Sequence, residues 1–508
     1  MKRILSILFA AIPLMAMAQN TVNVTVDSVG QLSKKIDEAK KFQISELTVS
    51  GPLNGADLKL IQQIVARSKA NEKKEECLVT AVDLSKATIV EGKDAMKTKT
   101  NELPANLFSG AKGLLKATLP NDITAIGKGC FDGCAALTDV QIPASVTAIG
   151  SQAFQGCKSL KTITLPSSIT IIEAQVFNKC SALTDIVLPE SVKELGNGAF
   201  EDCENLANIE MASVEKLGNN AFEGCKSLKT VTFNKITKLS LDAFKDCQSL
   251  TEANLPGSYQ EIGDEAFLGC VSLTKLTIPN TIKTIGSGAF RDCKKLADFE
   301  MPSSLEKIGS HAFEDCASLR RALIPNSVRN IGSSAFQDCT SLDSVSLDCM
   351  ISDLPTDAFR NCRSLRSIDL PASVKKIGKQ AFRECSALES VTMPVALSYI
   401  GEEAFEQCIS LSSMTFPVAV SEIDDEAFLG CSSLTSVELP AAIRKIGSSA
   451  FAQCPALSVV TLKSHAAPSI SKNSFKGAPC TFYVPKGSDK NYKTHKDWAK
   501  VSKIKETK

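Results

Sequence analysis

Cysteine is the residue whose number and spacing first suggest chemistry in this chain. Nineteen are present, and fifteen close a recurring phrase: Cys134, Cys157, Cys180, Cys203, Cys225, Cys247, Cys270, Cys293, Cys316, Cys339, Cys362, Cys385, Cys408, Cys431 and Cys454. Successive members lie 23 residues apart, with two steps of 22. Thiols can ligate a metal, form disulfides or pack as small apolar groups. A metal site is disfavoured, because no Cys-x-x-Cys pair occurs and no histidine stands near Cys130 and Cys134, the closest pair. Stacked repeats would hold the thiols about 5 Å apart, near enough for a bridge. Side chains in register point in parallel, however, so the Cβ vectors do not converge. The cysteine count is odd, and Ala111 and Ala478 take the slot in the flanking turns. The expectation is a ladder of buried, reduced thiols packing as hydrophobes.

Other reactive residues are sparse. His311, His465 and His495 are far apart, no His-x-x-x-His pair occurs, and no glycine-rich phosphate loop is present. His311 precedes Ala312-Phe313, where other turns carry Gln152 or Gly288, so it reads as an exposed variable position. Asp298 and Glu300 could form a glycosidase-like carboxylate pair. They fall on a flat strand face without aromatic sugar platforms, which argues against that chemistry. The sequence nominates no catalytic residue, no metal and no cofactor, and the chain is read as not an enzyme.

The element that positions these residues is a repeat. Leu137-x-x-Val140-x-Ile142-Pro143 is followed by Val146, Ile149-Gly150, Ala153-Phe154 and Cys157, and the same phrase returns through Cys454. Val140 and Ile142 alternate as one inward face of a short strand. Pro143 ends it, since proline has no N–H for a ladder. The slot is proline again at Pro166, Pro189, Pro256, Pro279, Pro302, Pro325, Pro371, Pro394, Pro417 and Pro440. Val146 and Ile149 line the core on the return, and Ala153-Phe154 with Cys157 suits a short helical or irregular segment. Gly127, Gly150, Gly286 and Gly447 share a slot that Glu173 and Pro355 also occupy. Proline cannot take positive φ, so close passage of the chain is the better reason for glycine. One turn cannot bury its apolar side chains, but stacked turns make a continuous core.

Residues 1–18 read as an export signal: Lys2 and Arg3, an apolar run to Met15, then Ala16-Met17-Ala18 before Gln19. The run is too short to span a membrane, and no later segment qualifies. Residues 19–102 read as an N-terminal cap, with strands at Thr21 to Val26, Leu47 to Gly51 and Leu78 to Leu84. Helices are expected over Leu32 to Phe42 and Asp57 to Ala66. Residues 103–480 are the solenoid, and 481–508, holding the single Trp498, the C-terminal cap. Basic and acidic residues number 57 and 56, so no global charge draws nucleic acid or an anionic membrane. One Trp and four Tyr leave few aromatics for stacking on bases or sugars.

The Leu-Pro-x-Ser-Val-x-x-Ile-Gly-x-x-Ala-Phe-x-x-Cys phrase resembles the BspA-like class of bacterial leucine-rich repeats over roughly residues 103–480. The Tyr483-Val-Pro-Lys-Gly487 tail is similar to the endings of exported members. The resemblance implies an α/β repeat solenoid, right-handed and curved, with a parallel sheet on its concave face. It also implies a secreted or cell-surface setting and a role in adhesion or protein binding. Outward strand positions vary along the array, acidic and amide-rich first and Ser/Thr-rich later. A ligand face is therefore expected at Asp185, Asn208, Glu210, Glu252, Asn254, Asp298 and Glu300. The expected partner is an extracellular protein with a basic surface, bound by a monomer that is exported and secreted, periplasmic or loosely surface-associated. The alternative is a carbohydrate-binding or cell-envelope structural protein.

Overall fold

A computed structural model describes residues 20–66, 78–93, 95–233, 235–236, 238–255, 257–499, 501 and 503–507. The expected export signal, Cys77 and Pro256 lie outside the described residues. The chain divides into two compact units, Met1–Pro166 and Ser167–Lys508. Both are parallel-strand solenoids.

Most regular turns carry two short strands rather than one. A first ladder follows the leucine: Lys116–Thr118 pairs in parallel with Asp139–Gln141 in the first unit. In the second unit Thr230–Thr232, Glu252–Asn254 and Lys275–Thr277 pair in register. A second ladder precedes the glycine slot, as at Ala125–Ile126 with Ala148–Ile149, and Glu261–Ile262 with Thr284–Ile285. The segment read from sequence only as a return path is therefore itself a sheet. Proline links the two: the Pro189 carbonyl accepts from Val192 N–H at 2.9 Å and Pro325 from Val328 at 3.1 Å, turning the chain inward.

The third side is not helical, contrary to the helical option left open by the sequence. Within each turn, bonds such as Gln155 N–H to the Gln152 carbonyl at 3.1 Å span three residues only. Left-handed residues interrupt them, at Gln152 with φ 62° and Gly156 with φ 68°. The same two slots recur at Asp242 and Asp246, and at His311 and Asp315. Positive φ is least costly for Gly, Asn and Asp, and Gly133, Gly156, Asn220, Asp246 and Asn361 fill these slots. The freed N–H groups bond between turns: Phe290 donates to the Ala312 carbonyl at 2.8 Å.

The glycine slot behaves as close passage. None of Gly127, Gly150, Gly286 and Gly332 has positive φ, and a Cβ on Gly332 would lie 2.2 Å from Ser310 N. The core is columnar. From Phe177 to Phe475, phenylalanine rings stack with centroids 5.1 to 5.8 Å apart.

In the first unit, the N-terminal strands Thr21–Thr25, Glu46–Leu53 and Ala81–Asp83 continue the first ladder. The helix expected over Leu32 to Phe42 is only Leu32–Lys35, followed by a short tight turn at Lys41–Gln43. The second helix is Gly55–Ala66. Its buried Asp57 accepts backbone N–H bonds from Gly30, Leu32 and Asn54 at 2.7, 2.9 and 3.1 Å, fastening both segments. At the other end Thr481–Val484 and Ile504–Glu506 extend the ladder, joined by a helix at Asp489–Thr494.

Candidate functional site

The outward side of the first ladder is where the sequence placed a ligand face. Register brings Asp185 beside Asn208 on adjacent strands. Glu210 follows at the strand end, and Asp185, Asn208 and Glu210 are exposed. Val187, in the same stretch, is 82% exposed. Glu252 and Asn254 lie on one strand and are half-buried.

Two features differ from the expected acidic face. Lys275, directly opposite Glu252, donates to its Oε1 at 2.7 Å, and Asn254 approaches the same oxygen at 3.4 Å. These contacts hold the Glu252 carboxyl below its usual range, so its charge is already partnered. Asp298 and Glu300 are exposed, but the stretch Leu296 to Glu300 forms no ladder strand. The two carboxylates stand where ladder pairing stops, not on a continuing strand face. Among the described residues Asp185, Glu210, Asp298 and Glu300 form no ion pair.

The cysteine column has a bonding pattern the sequence did not reveal. Each thiol donates to the carbonyl of the phenylalanine one turn earlier: Cys316 to Phe290 at 3.1 Å, Cys339 to Phe313 at 3.1 Å, Cys362 to Phe336 at 3.2 Å. The thiol is thus an apolar filler that also satisfies a buried carbonyl. Burial pushes these thiols up, Cys385 to about 12, so the reactive thiolate is suppressed.

The histidines do not converge. His311 occupies a left-handed slot, partly exposed, with Nδ1 2.9 Å from Glu314 Oε2. His465 Nδ1 lies 2.8 Å from Ser488 Oγ, a pair that sequence spacing hid. Ser488 is only 1% exposed beneath the cap, so its hydroxyl is not presented to a substrate. One acidic cluster, Glu403, Glu406 and Glu426, gathers carboxylate oxygens within 4.8 Å. Arg383 already bonds Glu403 and lies 3.1 Å from Glu406, supplying the positive charge a metal would bring. Burial, with Glu403 adjacent, pushes the Glu406 carboxyl up to about 7.

The turn geometry agrees with comparison to known families. The model of the BspA type leucine rich repeat region matches residues 101–229, 215–343, 260–388 and 352–481, together spanning the whole array. The chain belongs to the BspA-type leucine-rich-repeat family. A leucine-rich repeat protein from Bacteroides ovatus is similar in structure, at 27% identity and a TM-score of 0.57, over 82% of this chain and 97% of that one. A leucine rich cell surface protein from Faecalibacterium prausnitzii is 23% identical with a TM-score of 0.37, over 76% and 95%. The pneumococcal vaccine antigen PcpA is 18% identical with a TM-score of 0.36, over 68% and 89%. No curated protein matches the sequence.

As a BspA-type solenoid the chain uses its recurrent slots for construction: rings, thiols, glycines and left-handed turns. Among the described residues no helix is long and apolar enough to cross a membrane. Sequence reasoning missed one feature of a different kind, a lysine-rimmed groove at the last turn. Its lysines fall at unrelated slots, so no repeat pattern flagged them.

Proposed function

We propose that this protein is a non-catalytic binding scaffold acting outside the cytoplasm. It would engage an extracellular protein with a basic surface through the outward face of the first ladder between Asp185 and Glu300. The carrying observation is that Asp185 and Glu210 near the exposed Val187, and Asp298 and Glu300 several turns further on where the ladder pairing stops, are exposed carboxylates with no ion pair among the described residues. An apolar group rimmed by charge is the usual make-up of a protein contact. Asn208 lies within the patch, while Glu252 accepts from both Lys275 and Asn254, contacts that serve to order it. Between Asp185 and Glu300 the outward strand positions carry no aromatic residue, which favours a protein over a sugar ligand. Export is supported by the charged start, apolar run and small-residue cleavage site within residues 1–18.

The test is a pull-down of extracellular proteins by the wild type and by a triple variant, Glu210→Lys, Asp298→Lys and Glu300→Lys. The expected result is loss of a specific partner, with wild-type binding that weakens as salt rises. A folded triple variant that retains its partner excludes this patch. A glycan array run in parallel separates the protein reading from a carbohydrate one.

A further inference from the structure

The column of phenylalanine rings ends at Phe475. Rings within the column have parallel neighbours on both sides, as Phe451 has in Phe428 and Phe475. Phe475 stacks on Phe451 at 5.3 Å and meets only the edge of Phe482 beyond it, with planes at 84°. It is half-buried, whereas the rings before it are fully covered. Beyond it opens a groove of about 610 Å³ between the last turn and the C-terminal helix region. Its floor is apolar, with Ile470, Phe475, Ala478, Phe482 and Val501. Ala478 stands in the cysteine slot, and its small side chain leaves this floor wide.

The rim is predominantly basic. Lys472, Lys476, Lys496 and Lys503 line the groove against a single acid, Asp497. Lys503 donates to the Pro479 carbonyl at 3.4 Å, and Asp497 faces His495 at 3.9 Å. Lys472, Lys476 and Lys496 are exposed, and their side chains form no ion pair or hydrogen bond among the described residues. Elsewhere in this unit lysines commonly pair between turns, as Lys445 does with Glu422 at 2.6 Å. Burial pushes the Cys480 thiol in the groove wall up to about 11, so it adds no negative charge.

We propose that this groove binds a small amphipathic anion, its planar or hydrocarbon body against Phe475 and its carboxylate or sulfonate held by Lys472, Lys476 and Lys496. The volume falls among small-molecule sites, roughly 300–1,000 Å³. Unpaired ammonium groups over an apolar floor select for both halves of such a ligand, as neither a neutral apolar molecule nor a hydrated anion would satisfy them together. The proposal is independent of the first-ladder face.

Trp498, the chain's only tryptophan, is buried and packs edge-on against Phe482 at 5.2 Å, so its emission reports on this groove. The probe is anilinonaphthalene sulfonate, a planar aromatic anion, with uncharged phenylnaphthylamine as its neutral counterpart. The sulfonate is expected to quench Trp498 at one saturable site, with affinity falling as salt rises. The double variant Lys472→Glu, Lys496→Glu should weaken it about tenfold, leaving the neutral dye unchanged. Ala478→Leu should abolish binding of both by filling the floor. If that variant does not fold, the exposed lysine reversals still decide the matter. Binding without Trp498 quenching, or equal affinity in wild type and charge-reversed protein, overturns the proposal.

Discussion

The two ladders of the second unit run through the same turns and are built differently. From Asp353–Leu354 through Lys376–Ile377, Tyr399–Ile400, Glu422–Ile423 and Lys445–Ile446 to Ser469–Ile470, the second ladder pairs without a break. Over those turns the first ladder is divided, Ser367–Asp369 pairing with Ser390–Thr392 and a new run starting at Ser413–Thr415. The second ladder adjoins a glycine that lets adjacent backbones touch, and its outward charges pair across turns, as Glu194 with Lys216 and Lys283 with Glu306, both at 3.3 Å. The first ladder adjoins no such glycine; its charges pair at Glu252 with Lys275, but further on it shows Arg321, Leu323, Ser344 and Ser367 to solvent in succession. The second ladder and the ring column thus set the spacing of the turns, which leaves the first face free to vary.

The largest effect should come from the column on which both ladders rest. Phe290 is fully buried between Phe267 and Phe313, with centroids at 5.6 and 5.3 Å. Phe290→Ala is expected to cost about 3–5 kcal/mol. Hydrogen exchange should show both ladders losing protection near this turn, while distant turns hold, because repeats couple only to neighbours. Loss of one ladder alone would break the idea of a shared support. Next comes the closure itself. Gly332→Ala places a Cβ 2.2 Å from the Ser310 nitrogen and should cost about 3 kcal/mol as overpacking. Thermal unfolding measures it, and protection should fall first at Lys307–Ile308 and Asn330–Ile331. An alanine tolerated without change would mean the glycine is not what holds the second ladder tight.

A smaller effect belongs to the third side. Cys339 donates to the Phe313 carbonyl at 3.1 Å, and Cys339→Ala should cost about 1 kcal/mol for one buried hydrogen bond. Titration of denatured, unreduced protein should find most of the nineteen cysteines free. Near-complete oxidation would show that the column is a disulfide chain.

The fold was legible because a period of 23 residues repeats the same apolar slots, and Pro143 and its equivalents mark where each first strand stops. The second ladder was not legible. Two residues such as Thr284–Ile285 give no alternation to read, and only their register with the next turn makes them a strand. The left-handed slots left a trace in Gly156, Asn220 and Asp246, but Gln152 and His311 blurred it. The candidate face was legible in composition only. Periodicity placed Asp298 and Glu300 on a strand that does not form, and no local pattern could show that Lys275 closes on Glu252. The groove depends on where the repeat ends and how the cap folds back, which is tertiary information.

The finest test of the contrast sets one cation from each face against the other. Lys445, on the second ladder, bonds Glu422 at 2.6 Å and Asp424 at 3.0 Å, and those carboxylates push its pKa up. Arg321, on the first ladder, is exposed and forms no ion pair among the described residues. Surface ion pairs contribute about 0–1 kcal/mol, and the upper end applies where one cation serves two carboxylates in fixed register. Lys445→Ala should therefore lower stability by up to about 1 kcal/mol in chemical denaturation, less at high salt. Arg321→Ala should stay within about 0.5 kcal/mol at any salt, as expected for a surface side chain without partners. An equal loss at both sites would show that side chains of the first face are tied into the structure to the same degree as those of the second. That face would then have no spare side chains to offer a partner.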